Sequence, residues 1–257
     1  METLARYAAA AADLLFPPEC LLCQRPLLLS GDDREKAALG RDFCAACLAE
    51  LTSGLSRCAV CGAAGGLQLG ASCCEACGRC PPPWRGAFIF ATYGDRVRDA
   101  VLRSKQPSGE AVACSLGRRL GQLVRTQVSP AALMDLVVPV PMHWRRRAVR
   151  GTSSAQVIAG AVADALRRPM RSRLRRIRAT NMQNTLPPAE RPANVSGAFR
   201  ASRRVRGQSV LLVDDVITTG ATVAACTQAL LAAGACEVYV AAVAKAERSD
   251  LVADDGP

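Results

Sequence analysis

The chain contains one histidine, three lysines and only 4% aromatic residues among its 257 positions. No histidine stands among its clustered cysteines, which argues against an open catalytic zinc site there. The single histidine, His143, has no identifiable carboxylate partner and reads as a loop residue, not a general base. The aromatics are too few to interleave with basic residues as a base-stacking surface, so Trp84 and Trp144 read as packing residues. Uncharged apolar runs are short as well. None approaches the roughly 20 residues of a membrane span. The alanine run at positions 8–12 is interrupted by Asp13 and followed by no cleavage region, unlike a secretory signal. These absences lead to the expectation of a soluble protein in a reducing cytoplasm, with no membrane insertion.

Half of the residues are apolar, enough for a core, and the length suits one large domain with a smaller one. Cysteine is abundant, at 13 residues, and ten of these fall between Cys20 and Cys80. Cys114, Cys226 and Cys236 are scattered, and Cys226 has the apolar neighbours of a core residue. The net charge of +11 is uneven. Residues 1–90 are close to neutral, whereas residues 142–178 carry 11 arginines against one acid, Asp164. Such a field attracts polyanions, either nucleic acid or a pyrophosphate-bearing substrate. The excess of arginine over lysine also fits a coding bias combined with a solvated basic face.

Helical spacing over residues 1–16 ends at Pro17-Pro18, and the prolines at 81–83 form a stiff boundary. Three parts are expected: an N-terminal helix at 1–19, a double zinc-ribbon-like domain at 20–83 and a larger domain at 84–257. In the last, strands are expected at 87–93, 136–140, 210–213 and 237–243, and helices at 95–104, 109–124, 155–166 and 222–233. Strands alternating with helices predict an α/β fold, a parallel sheet with helices on both faces.

The clustered cysteines form CxxC pairs at Cys20/Cys23, Cys44/Cys47, Cys58/Cys61 and Cys77/Cys80. A CxxC turn presents two thiolates to one ion, and Zn²⁺ takes four soft ligands in a closed tetrahedron. Sequential pairing places Cys20, Cys23, Cys44 and Cys47 on one structural zinc and Cys58, Cys61, Cys77 and Cys80 on a second. Cys73 and Cys74 complicate the second site, because Cys74 and Cys77 also make a CxxC, and interleaved ligation stays open. Redox dithiols or an iron–sulfur cluster are the weaker alternatives, since four pairs occur in series.

Residues 210–222 read VLLVDDVITTGAT. An apolar strand runs into Asp214-Asp215, and Thr218, Thr219, Gly220, Ala221 and Thr222 turn into a helix. A helix N-terminus offers unpaired N–H groups and a favourable dipole to an anion, and glycine lets the backbone curl around a phosphate. The two carboxylates can accept hydrogen bonds from ribose hydroxyls or hold a hydrated Mg²⁺.

This segment resembles the phosphoribosyl-diphosphate (PRPP) signature of type I phosphoribosyltransferases, and residues 17–248 resemble the ComF family of competence-associated proteins. The resemblance extends to DLVVPVP at 135–141, RAVRG at 147–151, Lys105, and the spacing of Gln183, Leu186, Arg191, Asn194 and Phe199. It implies a type I phosphoribosyltransferase-like domain behind zinc-binding cysteines, with Asp214 and Asp215 as catalytic residues. PRPP would be bound by Val216, Thr218, Thr219, Gly220, Ala221, Thr222, Lys105, Arg145 and Arg150, with Mg²⁺ accompanying it. The 5′-phosphate falls to the 218–222 amides, the ribose to the aspartates and the pyrophosphate to the turn after residue 141. Residues 180–194 would form a mobile loop over the site. Where the family has RGFNQ, this chain has Arg150-Gly151-Thr152-Ser153-Ser154. The implied activity is phosphoribosyl transfer to an acceptor that the motifs do not name. The alternative is a nucleic-acid-associated role in uptake of single-stranded DNA, with competence-machinery proteins as partners.

Overall fold

The computed structural model of the chain describes residues 19–27, 42–51, 56–65, 73–128, 134–142, 153–178 and 194–246. The expected helix at 1–16, His143, Trp144, Arg145, Arg150 and nearly all of the expected loop at 180–194 lie outside these residues. Two compact units make up the chain, Met1–Ser53 and Gly54–Pro257. The second cysteine cluster thus shares a unit with the α/β body, where sequence alone suggests a division at 83/84.

In the first unit, the turn at 20–24 precedes helix α1, Ala45–Leu51. The second unit opens with a similar turn at 58–62 and the short helix α2, Glu75–Arg79. Its body comprises β1 (Ala87–Thr92), α3 (Asp95–Ser104), α4 (Glu110–Gln127), β2 (Leu136–Pro139) and α5 (Ser154–Leu166). After these come β3 (Leu174–Arg176), β4 (Phe199–Ala201), β5 (Ser209–Ile217), α6 (Ala221–Ala232) and β6 (Glu237–Lys245).

Four strands form a parallel sheet in the order β1-β6-β5-β2. Their near-continuous apolar sequences follow from burial on both faces, as parallel sheets require. Val210, Leu211, Leu212 and Val213 are fully buried. Because strand side chains alternate, Val210 and Leu212 join one core with Leu136, Val138, Val238 and Val240. That core packs against Val223, Cys226 and Leu230 of α6, with Leu174 and Phe199 of the β3–β4 hairpin beside them. Helices α4 and α5 supply the opposite layer. Their axes approach closely because glycine replaces bulk at the crossing. A Cβ on Gly117 would stand 2.6 Å from the Ile158 carbonyl oxygen, and one on Gly121 would stand 2.6 Å from Ala165 Cβ.

The expected parallel α/β architecture is therefore present. Strand β5 is longer than its apolar run, because β6 continues beside it as far as the Ile217–Lys245 pair. Asp214 and Asp215 accordingly lie within the last turns of the pleat and face opposite sides of it. The β3–β4 hairpin, with Arg175 opposite Arg200, carries no apolar alternation that would announce it. Among the described residues, no helix is long and apolar enough to cross a membrane.

Candidate functional site

Strand β5 delivers Asp214 and Asp215 to the carboxyl end of the sheet, the end at which parallel α/β folds place their ligands. Gly220 follows as the N-cap of α6, with φ of 82°. That left-handed conformation is open to glycine and strained for other residues. The Ala224 N–H reaches back to the Gly220 carbonyl at 2.9 Å to close the first helical turn. Ala221 N–H bonds instead to Thr219 Oγ1 at 3.4 Å. Helix geometry leaves the first-turn amides without intrahelical acceptors, and no acidic side chain occupies that turn. Asp214, Val216, Thr218, Gly220 and Thr222 line one cleft together with Ile217 and Val223. A cleft lined by a helix head, threonine hydroxyls and a carboxylate suits a phosphate joined to a polyol.

The two carboxylates have different surroundings. Asp215 Oδ2 takes the Lys105 ammonium at 3.1 Å and the Ser154 hydroxyl at 3.0 Å, while its Oδ1 accepts from the Val216 N–H at 2.7 Å. Burial and the adjacent Asp215 carboxylate push Asp214 up to about 7, against opposing pulls from the Asp215 N–H and the Lys105 charge. Like charges packed into a poorly solvated site resist simultaneous ionisation. On the α6 side, burial and the nearby Asp214 carboxylate raise the Cys226 thiol well above its ordinary range, consistent with a core residue.

Lys105 is brought to the site as the C-cap of α3, far in sequence from β5. Ser154 is outside the set of site residues that the resemblance names. It begins α5 where the resemblance leads one to expect glutamine, and its contact with Asp215 spans 61 positions.

The cysteines form two tetrads with the same backbone plan. The first joins Cys20, Cys23, Cys44 and Cys47. The second joins Cys58, Cys61, Cys74 and Cys77. Cys80, expected as the fourth ligand of the second tetrad, is exposed and Cys74 takes its place. The reason is the helix α2. Cys74 is its N-cap and Cys77 lies in its first turn, so both sulfurs point to one centre, whereas Cys80 lies past its end. The first tetrad is built alike, with Cys44 and Cys47 at the head of α1.

Each tetrad is organised by its first cysteine. Cys44 N–H donates to Cys20 Sγ at 3.3 Å, and Cys74 N–H to Cys58 Sγ at 3.2 Å. Burial raises the Cys20 and Cys58 thiols, but surrounding backbone N–H groups outweigh it and hold both at about 6. Burial and neighbouring cysteines push Cys47 up to about 12 and raise Cys77 further. Four crowded thiols of this kind become thiolates together only around a cation. A tetrahedron with Zn–S bonds of about 2.3 Å separates its sulfurs by about 3.8 Å. Here Cys23 and Cys44 are 3.8 Å apart, Cys61 and Cys74 3.7 Å, and Cys58 and Cys77 3.9 Å. Both tetrads fit zinc in ligand type and spacing.

Residues 152–257 match the phosphoribosyl transferase domain family. Over 233 residues the chain is 32% identical to DNA utilization protein YhgH of Salmonella typhi, covering 88% of this chain and 96% of that protein. Competence protein F of Haemophilus influenzae is 27% identical over 210 residues, 79% of this chain and 90% of its own. Among solved structures, the glutamine PRPP amidotransferase of B. subtilis, complexed with ADP and GMP, is 26% identical with a TM-score of 0.38. That similarity covers 57% of this chain and 30% of the amidotransferase.

Proposed function

The chain belongs to the ComF family, together with the DNA utilization protein YhgH and competence protein F, and on that premise we propose that it binds PRPP or a related ribose phosphate at residues 214–222. The observation that carries this proposal is the cleft in which Asp214 faces the glycine-capped head of α6. The amides and hydroxyls at 218–222 hold the 5′-phosphate, and the Asp214 carboxylate accepts from a ribose hydroxyl. Lys105 and Ser154 fix Asp215, and Lys105 also offers its charge to a bound phosphate.

In transfer, the bond from ribose C1 to the pyrophosphate oxygen breaks, pyrophosphate leaves, and the acceptor's nucleophile bonds to C1. The protein's part is positioning and charge stabilisation. Arg145 and Arg150 are assigned to the pyrophosphate, for which the guanidinium fork is suited. The Asp214 carboxylate, which lines the cleft, is an oxygen donor suited to a hydrated Mg²⁺, and that ion when bound would neutralise charge on the departing pyrophosphate. Each tetrad would hold one zinc ion that keeps its turn folded, and thiolate ligands of this kind support a reducing, cytoplasmic location. Thermal unfolding with PRPP and Mg²⁺ tests binding: the transition rises with ligand concentration, and no shift at millimolar PRPP overturns the assignment. Pyrophosphate release across a panel of nucleobases and nucleic acids tests transfer.

A second function, binding single-stranded DNA, is favoured by the hairpin. Arg175 and Arg200 stand directly opposite each other, and Arg171, Arg178, Arg203 and Arg204 are also exposed. Facing like charges are unfavourable until an anion joins them. The relative's name, DNA utilization protein, points the same way. Affinity for an oligonucleotide that falls steeply with salt, and falls less steeply in Arg175→Ala/Arg200→Ala, supports it.

A further inference from the structure

Trp84 links the second cysteine tetrad to the head of α6. It is 8% exposed and shares a core with Ile217, Ala221 and Val223, the residues that frame the phosphate turn. At one end of the indole, Nε1–H donates to the Val60 carbonyl at 2.7 Å. At the other, Cη2 lies 3.3 Å from where a Cβ on Gly220 would stand, so the ring rests against that residue's backbone. One rigid side chain spans the distance between the two turns.

Val60 lies within the Cys58-Ala59-Val60-Cys61 turn, between two of the tetrad's sulfurs. The backbone of that turn is closed by Gly62 N–H to the Cys58 carbonyl at 2.8 Å and by Cys61 N–H to Cys58 Sγ at 3.5 Å. Its two outward carbonyls both serve the α/β body. Ala59 accepts from Ala87 N–H at 2.9 Å, at the start of β1, and Val60 accepts from Trp84. Arg57 adds a clamp, donating to the Gly62 carbonyl at 3.1 Å and to Thr92 Oγ1 at 2.7 Å. The Val60 carbonyl thus belongs to the turn that carries two of the ligating sulfurs and anchors one end of the indole.

We propose that the second tetrad, when loaded with metal, positions the phosphate-binding turn through Trp84, making Trp84 a positioning residue for the ribose-phosphate site. The proposal rests on the assignment of residues 214–222 to a ribose phosphate. It separates the two metal centres by role: loading of the Cys58 tetrad affects ligand binding, and loading of the Cys20 tetrad does not.

The test uses the full chain with Trp144→Phe, which leaves Trp84 as its only tryptophan. Three changes are compared in that background: Trp84→Phe, Cys61→Ser and Cys47→Ser. Trp84→Phe keeps an aromatic ring but loses the N–H, and with it about one neutral hydrogen bond. It retains both metals and binds ribose 5-phosphate about fivefold more weakly. Cys61→Ser loses one metal, shifts Trp84 emission and weakens binding at least as much. Cys47→Ser loses one metal and leaves both emission and affinity unchanged. Hydrogen exchange of the 218–223 amides, measured without ligand, speeds up in Trp84→Phe and Cys61→Ser only. Unchanged exchange and affinity in Trp84→Phe overturn the proposal, as does an equal effect from Cys47→Ser. If the parent chain binds no ribose 5-phosphate, the ligand assignment fails, and the exchange measurement still decides whether the coupling exists.

Discussion

Lys105 and Asp215 meet at the carboxyl end of the sheet, with Nζ 3.1 Å from Oδ2. Ser154 donates to the same oxygen, so one carboxylate ties the end of α3 and the head of α5 to β5. This leaves Asp214 as the carboxylate that lines the cleft.

Lys105→Ala separates ligand binding from folding. The pair is partly open to solvent, so its loss lowers stability by no more than about 1 kcal/mol. The charge is worth more to a bound phosphate, about 1.5–3 kcal/mol, and PRPP affinity falls roughly tenfold or more. Urea unfolding and calorimetric titration measure the two effects separately.

Asp214 sets a pH dependence. Its value near 7 in the fold lies above the ordinary aspartate range, so the folded state binds the proton more tightly than the unfolded chain. The resulting stability is fully present below about pH 4 and is lost as pH rises through about 7. Asp214→Asn lacks this contribution, so the difference between the two stability curves shrinks across that window. Ligand affinity moves the opposite way. The ionised carboxylate is the better acceptor for a ribose hydroxyl, so ribose 5-phosphate binds more tightly between about pH 6 and pH 8. The Asn variant reports how much of that rise comes from the phosphate's own ionisation.

Metal stoichiometry distinguishes Cys74 from Cys80. Cys74→Ser removes one of two zinc ions, while Cys80→Ser retains both, as measured by elemental analysis of purified protein. Retention of both ions in Cys74→Ser contradicts the geometry of the second tetrad.

Gly117→Val inserts bulk where α4 and α5 approach most closely. Even a Cβ there meets the Ile158 carbonyl at 2.6 Å and Ala161 Cβ at 2.8 Å. Overpacking of this kind costs about 1–3 kcal/mol and moves the urea midpoint down with little change in slope.

The features legible in sequence are those encoded locally. Residues 210–222 reveal themselves because the strand, the two carboxylates and the glycine-capped helix are contiguous, each using its own backbone chemistry. The parallel sheet is legible for a similar reason, since burial on both faces leaves continuous apolar runs. Where the answer depends on a distant partner, sequence spacing falls short. Cys74 and Cys80 each complete a CxxC with Cys77, and only the placement of α2 selects between them. Strand β5 extends beyond its apolar run because β6 keeps pairing with it. Ser154 resembles an ordinary helix-start serine until the fold sets it against Asp215. The three-residue strands of the arginine hairpin are held by Leu174 and Phe199 beneath them, and Arg176 lies 5.4 Å over the Phe199 ring.

Calorimetric titration of PRPP with Mg²⁺ into the wild-type chain and into Asp214→Ala/Asp215→Ala tests ribose-phosphate binding at residues 214–222. Saturable binding of one PRPP per wild-type chain is expected, abolished in a double variant that stays folded and keeps both zinc ions. No binding by the wild-type chain at millimolar PRPP, or equal binding by the double variant, would contradict it.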